Sequence, residues 1–204
     1  MVTIVNYGMG NLGSVQNMFK RLGYQSEITS DIDVIAKAQK ILLPGVGAFG
    51  NAMALIDEKG FREVLNQKAL IEKVPTLGIC LGMQLLTRSS EESPNVKGLG
   101  WIAADTRRFV FPSDTKLKIP HMGWNEVQFP KISRFTEGYV ETPRYYFVHS
   151  YHVILDNPED AIMIAHHGCD FVAGIQKENI YGAQFHPEKS HKFGMRLFEN
   201  FAKL

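Results

Sequence analysis

The sequence predicts a doubly wound α/β fold, a mostly parallel sheet flanked by helices with an antiparallel extension in its C-terminal half. Three observations lead there. Strand and helix signals alternate through the first half, in βαβαβ order. The strand candidates "VTIVN", "KILLPGVG" and "PTLGIC" are largely apolar without polar alternation, which suits parallel strands covered on both faces. From about Gly98 the pattern changes to short strand-like runs separated by turn residues, the grammar of antiparallel pairing.

The elements follow in order. "VTIVN" (2–6) reads as a strand and 14–22 as a helix, with Val15, Met18, Phe19 and Leu22 on one face. "SEIT" is a second strand. Ser30 is expected to cap the next helix, with Asp31 and Asp33 in the first turn, where the helix dipole favours acids. "KILLPGVG" reads as a buried strand ending in a glycine-rich turn, followed by helices over 48–58 and 61–71 and by the strand "PTLGIC". Beyond Gly98 the runs "GWIAADTRRFVF", "MGWNEVQF", "RYYFVHSYHVIL", "AIMIAHH", "DFVAGIQ" and "NIYGAQFH" read as strands, and "HHGCD" as a hairpin turn. Residues 190–202 return to helix, with Phe193, Leu197 and Phe201 four apart. Neither repeat nor linker divides the chain, so a flavodoxin-like single domain over 1–204 is expected.

Composition narrows the function classes. The chain has 204 residues, enough to bury a full core, and its formal net charge of +1 offers nothing to nucleic acid or an anionic membrane. No apolar run approaches the ~18 residues of a membrane span, and the N-terminus lacks a signal-peptide pattern. Cys80 and Cys169 do not make a disulfide scaffold, so a cytoplasmic, reducing location is the expectation.

The chemistry concentrates in "PTLGICLGMQLL". Gly78-Ile79-Cys80-Leu81-Gly82 is G-x-C-x-G, the thiol version of a nucleophile elbow, in which two glycines permit a tight strand-to-helix turn. Cys80 would face a helix N-terminus, which favours thiolate; the plainer reading is a buried cysteine in a core strand. A thiolate nucleophile needs a proton carrier and a group to orient it. "QFHPEKS" supplies His186 at a strand end and Glu188 two residues on, able to turn back to the ring's far nitrogen. An oxyanion site is expected at "LPGVGAFG", from backbone N–H groups near Val46 and Gly47, and from Leu81 N–H just after the nucleophile. That stretch also reads as an ordinary strand-to-helix turn.

"GICLGMQLL", "QFHPEKS", "LPGVGAFG" and "PHMGWNEV" together resemble class I (triad) glutamine amidotransferases, from end to end of the chain and in the same order. "PHMGWN" and "YYFVHSY" narrow the resemblance to the family of glutaminase subunits of imidazole glycerol phosphate synthase. The resemblance implies a single amidotransferase domain over 1–204. It implies Cys80, His186 and Glu188 as a triad that hydrolyses glutamine through a γ-glutamyl thioester. It also implies that Gly82, Gln84, Glu92, His149, Ser150 and Tyr151 hold the substrate. Glu92 reads equally well as a solvated helix-end carboxylate. The partner implied is a (β/α)8 barrel cyclase, in a heterodimer that channels ammonia to a ribotide in histidine biosynthesis and is gated through "PGVG". Asn11, Trp124 and Lys189 would lie at the partner face, although Trp124 also reads as core packing. Thr87, Arg88 and Trp101 depart from the common pattern. They keep open a paralogous subunit feeding a cyclase-like partner in surface-polysaccharide amidation.

Two other motifs are set aside. "YGMGNLG" spells G-x-G-x-x-G at Gly8, Gly10 and Gly13, but the acids at the ribose-binding distance, Asp31 and Asp33, read as a helix start; no nicotinamide or flavin is expected. His166, His167 and Cys169 share one tight turn with no second ligand cluster, so no metal is expected. A stand-alone cysteine hydrolase would not need Gln84, His149 and Tyr151, and a non-catalytic binding module would not need the intact Cys80, His186 and Glu188.

Overall fold

The structure, a computed structural model, describes residues 1–204. The first half is β1 (Val2–Val5), α1 (Leu12–Arg21), β2 (Ser26–Thr29), α2 (Ile32–Ala36), β3 (Ile41–Leu43), α3 (Phe49–Glu58), α4 (Phe61–Asn66), β4 (Thr76–Ile79) and α5 (Leu81–Leu85). The second half is β5 (Ser89–Ser90), β6 (Ala104–Arg108), β7 (His121–Glu126), β8 (Arg144–His149), β9 (Tyr151–Leu155), β10 (Ala161–His166), β11 (Asp170–Lys177), β12 (Ile180–Ala183) and α6 (His191–Lys203). Neighbours in the main sheet run β2-β1-β3-β4-β12-β11-β9-β6-β5, with β10 beside β11. From β2 to β12 every pairing is parallel; β11 pairs antiparallel with β12, β9 and β10, and β9 with β6. No helix is long and apolar enough to cross a membrane.

The sheet is packed on both faces, as the unalternating strands require. On one face Val2, Ile4, Leu77 and Ile79 pack with α1 and α6, where the Phe19 and Phe198 rings lie 4.8 Å apart. On the other, Val5, Leu43 and Ile41 pack with Phe49, Met53 and Ile56 of α3 and Phe61 of α4. Burial of these side chains, about 1.5–3 kcal/mol each, holds the helices to the sheet.

Four sequence expectations change in detail. Helix α1 begins at Leu12, two residues early. The cap of α2 is Asp31, not Ser30: its carboxylate accepts the Asp33 N–H at 2.8 Å. The helix over 61–71 widens to a π turn from Gln67 to Ile71. "RYYFVHSYHVIL" is two strands, because β8 leaves the main sheet to form a two-stranded antiparallel ribbon with β7, while β9 returns to pair with β6. The break falls at Ser150, and it places the end of that ribbon over the C-terminal ends of β3, β4 and β12.

Candidate active site

Those three strand ends carry the expected chemistry. β4 and β12 are paired in parallel with Ile79 opposite Ala183, and Cys80 N–H donates to the Ala183 carbonyl at 2.7 Å. Cys80 therefore leaves β4 beside the residues that lead to His186. Its backbone is at φ 52°, ψ −109°, a conformation that side chains rarely adopt and that functional sites use to hold a nucleophile out of the regular ladder. Two glycines make the turn possible by close approach. A Cβ on Gly78 would lie 2.5 Å from Gly82 O, and one on Gly82 would lie 2.0 Å from Leu43 O. The expected helix behind Cys80 is only five residues long, so its dipole is short.

His186 follows β12 and is buried, with its N–H on the Tyr146 carbonyl at 2.9 Å. Pro187 opens a single 3-10 turn that brings Glu188 back beneath the ring, with Oε1 2.8 Å from Nδ1 and both side chains 3 % exposed or less. A carboxylate at Nδ1 requires the proton there, which leaves Nε2 as the basic nitrogen; Nε2 has no hydrogen-bond partner. Burial alone would lower the pKa of His186, but the neighbouring Cys80 and the hydrogen-bonded Glu188 carboxylate outweigh it and raise the imidazolium to about 9. Ser190 braces the turn, its hydroxyl donating to His186 O at 2.6 Å and accepting from Tyr146 N–H at 3.0 Å.

The third strand end is the turn after β3. Val46 is 42 % exposed and Gly47 sits at φ +106°. The amides of Val46, Gly47 and Leu81 donate to no group within the chain. Tyr7, fully buried, donates its hydroxyl to the Pro44 carbonyl and so anchors the start of this turn. Burial and the neighbouring Cys80 charge push the Tyr7 phenol well above its ordinary value, so it stays a donor.

A cavity of about 330 Å³ joins the three strand ends. Of the expected catalytic, oxyanion and substrate residues, all but Glu188 and Gly82 line it: Val46, Gly47, Cys80, Leu81, Gln84, Glu92, His149, Ser150, Tyr151 and His186. Glu188 stands behind His186. Gly82 lies outside that lining, against Leu43 O beneath the elbow. Glu92 is not a freely solvated carboxylate. Its Oε2 accepts the Phe49 N–H at 2.7 Å at the start of α3 while the side chain lines the cavity.

Sequence reasoning missed Tyr7, Gln184, Pro120 and Val148. Gln184 is fully buried, and its Nε2 lies 3.9 Å from Cys80 Sγ. It sits inside the quoted "QFHPEKS", where alternation from His186 along the strand could have found it. Pro120, just before β7, and Val148, in β8, line the cavity as well.

Trp124 does not pack in the core. It is 48 % exposed, its ring parallel to His191 with centroids 5.5 Å apart, and it meets Tyr146 edge-on. Lys189 Nζ stands 5.5 Å over the Tyr146 ring, so Trp124 and Lys189 share a surface patch with exposed Met122 nearby on β7. Asn11 is exposed before α1 and its side chain makes no cap bond. Gly13, the third glycine of the opening motif, lies in α1 with nothing within 4 Å of a Cβ position, so it does not make the close helix–strand packing of a dinucleotide site. His166 and His167 are held separately, by Asp170 at 2.7 Å and by the Lys118 carbonyl at 2.9 Å.

Residues 3–204 match the family described as glutamine amidotransferase class-I. "Imidazole glycerol phosphate synthase subunit HisH 2" of Methanococcus maripaludis is 50% identical over 203 residues, covering 100% of this chain and 99% of that one. The subunit of the same name from Pseudomonas aeruginosa is 43% identical over 204 residues, covering 100% of both chains. "Imidazole glycerol phosphate synthase subunit HisH" of Sulfurimonas denitrificans is 46% identical over 208 residues, covering 100% and 98%. Among solved structures, PurLQS from Thermotoga maritima superposes with a TM-score of 0.75 at 18% identity, over 99% of this chain and 97% of that one. A crystal structure of a glutamine amidotransferase gives 0.73 at 16%, over 100% and 99%. At these identities the two structures establish a shared fold.

Proposed function

The chain belongs to the class-I glutamine amidotransferase family, and on that premise we propose that it is the glutaminase subunit of an imidazole glycerol phosphate synthase, acting as one domain over 1–204. The observation that carries this reading is the single cavity shared by Cys80 Sγ, the unpartnered Nε2 edge of His186 and the free amides of the 44–47 turn.

In the proposed reaction Cys80 thiolate attacks the carboxamide carbon of glutamine, forming a C–S bond and moving the carbonyl electron pair onto oxygen. The amides of Val46, Gly47 and Leu81 receive that oxyanion. His186 delivers its Nε2 proton to the amide nitrogen as the C–N bond breaks, and ammonia leaves. Neutral His186 then takes a proton from water as it attacks the thioester, and glutamate departs with the thiolate restored. Glu188 keeps the Nδ1 proton in place and offsets the imidazolium charge. Gln84, Glu92, His149, Ser150 and Tyr151 hold the glutamine, with Glu92 the group suited to its α-ammonium.

Ammonia passes to a (β/α)8 barrel cyclase docked against the face of Trp124, Lys189 and Asn11. There it reacts with a phosphoribosyl-formimino ribotide (PRFAR), giving imidazole glycerol phosphate and an aminoimidazole ribotide (AICAR). A second reading, kept open by Thr87, Arg88 and Trp101, is a paralogous subunit feeding a cyclase-like partner in surface-polysaccharide amidation. Glutamate release by the purified chain, alone and with the histidine-pathway cyclase and its ribotide, separates the two. Strong stimulation by both supports the histidine pathway. Little stimulation, from protein whose Cys80 still reacts with a glutamine-like affinity label, supports the other partner. Persistent hydrolysis by Cys80→Ala would overturn both.

A further inference from the structure

The cavity wall at 148–151 is held in part by His121, Asn125 and Gln184, which the proposed chemistry does not use. His149 Nδ1 lies 2.7 Å from the Tyr151 carbonyl, which only accepts, so Nδ1 carries the proton. The neutral ring then offers an acceptor at Nε2, 3.1 Å from His121 Nδ1, and His121 must donate there. His121 Nε2 is left as an acceptor, and Asn125 Nδ2 lies 3.2 Å from it. The second N–H of Asn125 goes to the His166 carbonyl at 2.8 Å, which fixes the orientation of that amide. Each proton position in the chain follows from the one before.

The Tyr151 carbonyl is also where a second branch ends. Gln84 Nε2 donates to it at 3.2 Å and to Gln184 Oε1 at 3.2 Å, and Gln184 in turn lies against Cys80 Sγ. A continuous polar thread thus runs from β7 to the nucleophile, with His121, His149, Gln84 and Gln184 all buried. His121 faces His149 directly across the β7–β8 ladder and is packed between His167, at 4.3 Å, and Phe147, at 4.8 Å. Burial keeps both rings neutral, with His149 lowered to about 3 and His121 to about 4.

We propose that His121 is a positioning residue: by donating to His149 Nε2 it fixes the tautomer of His149, and with it the Tyr151 carbonyl and the 148–151 wall opposite Cys80. The proposal rests on the reading of this cavity as a glutamine site only for its kinetic consequence. Without the His121 donor, His149 is free to carry its proton on Nε2, and Tyr151 O then loses one of its two donors. The wall would loosen where it holds the substrate, while Cys80, His186 and Glu188 keep their own contacts.

The test uses the full chain with His121→Phe, which keeps a planar ring and removes the donor, and His121→Asn, whose amide N–H falls near the former Nδ1. In glutamate release His121→Phe is expected to raise KM for glutamine about tenfold with kcat within about threefold, and His121→Asn to recover most of that loss. ¹⁵N NMR of His149 in the ligand-free protein is expected to report the Nδ1–H tautomer in the wild type and in His121→Asn, and a mixture in His121→Phe. Unchanged KM and an unchanged tautomer in His121→Phe would overturn the proposal, as would equal impairment of both variants. If His121→Phe does not fold, Asn125→Ala, at the less buried end of the thread, is expected to raise KM about threefold, and no change there refutes the chain. Absence of glutamate release from the wild type, both alone and with the cyclase and its ribotide, would overturn the functional reading, and the tautomer measurement would still decide the role of His121.

Discussion

Gly82→Ala would place a methyl group 2.0 Å from Leu43 O and 2.9 Å from the carbonyl carbon of Leu43. Both are backbone atoms of a buried strand, so no side chain can swing aside. An ordinary carbon–oxygen contact is about 3.3 Å, and β3 and the first turn of α5 must therefore separate by roughly 1.3 Å. Overpacking of this kind costs about 1–3 kcal/mol, and the rigid neighbour points to the upper end. In a chain of this size each kcal/mol lowers Tm by about 2–4 °C, so the expected loss is about 6–12 °C. The same shift moves Cys80 and Leu81 away from the 44–47 turn, and kcat should fall with it. Thermal unfolding by circular dichroism, paired with glutamate release, measures both. A Tm within about 2 °C of wild type together with a raised KM would refute the argument, because Gly82 would then be a glutamine contact rather than the spacer under the elbow.

Three further outcomes are expected. His186 holds its proton up to about 9, against 6.5 for the unperturbed group, so its contribution to stability is complete below about pH 6.5 and lost as pH rises through 9. Glu188→Gln should flatten that decline in urea midpoints measured from pH 6 to 9.5, and equal slopes in the two proteins would contradict the assignment. Tyr7→Phe removes the hydroxyl that donates to the Pro44 carbonyl; stability should fall by about 1–2 kcal/mol, and kcat by about tenfold with KM little changed. An unchanged kcat would mean that the turn is positioned by something else. Trp124→Ala removes an exposed ring, so Tm should hardly move, while affinity for the proposed cyclase barrel, read by titration calorimetry, should drop at least about tenfold.

The parallel half of the sheet and the strand-end sites were legible because local chemistry dictates them. Unalternating strands report burial on both faces, and the glycines around Cys80 and the proline after His186 permit few other backbone paths. The cap of α2 was misplaced by one residue because Ser30 and Asp31 are both good caps, and only the geometry of the turn selects Asp31. The ribbon β7–β8 was not legible as a separate sheet: nothing in "YYFVHSYHV" marks the point where one strand changes partners. Tyr7, His121 and Gln184 were missed for a related reason, since each acts through a contact distant in sequence. The departures at Thr87, Arg88 and Trp101 are explained away from the cavity. Thr87 is buried against Thr106, Arg88 bridges Asp105 and Asp156, and Trp101 donates to Asn66 at 2.7 Å. They therefore carry no information about the chemistry.

The position of β12, between β4 and β11 in the sheet, matters while the chain is being made. Gln184, which touches the nucleophile, is translated 104 residues after Cys80. At about 5–20 residues per second, the ribosome holds a nascent chain with an elbow but without Gln184 or His186 for roughly 5–20 s. During that time the apolar edge of β4 has no neighbour on one side, a surface that invites pairing with another chain. The same delay means that a stalled or prematurely ended polypeptide lacks His186, the proposed general base, and on that reading cannot release ammonia into the cell. Insertion of the last strand completes the sheet and arms the thiol in one step.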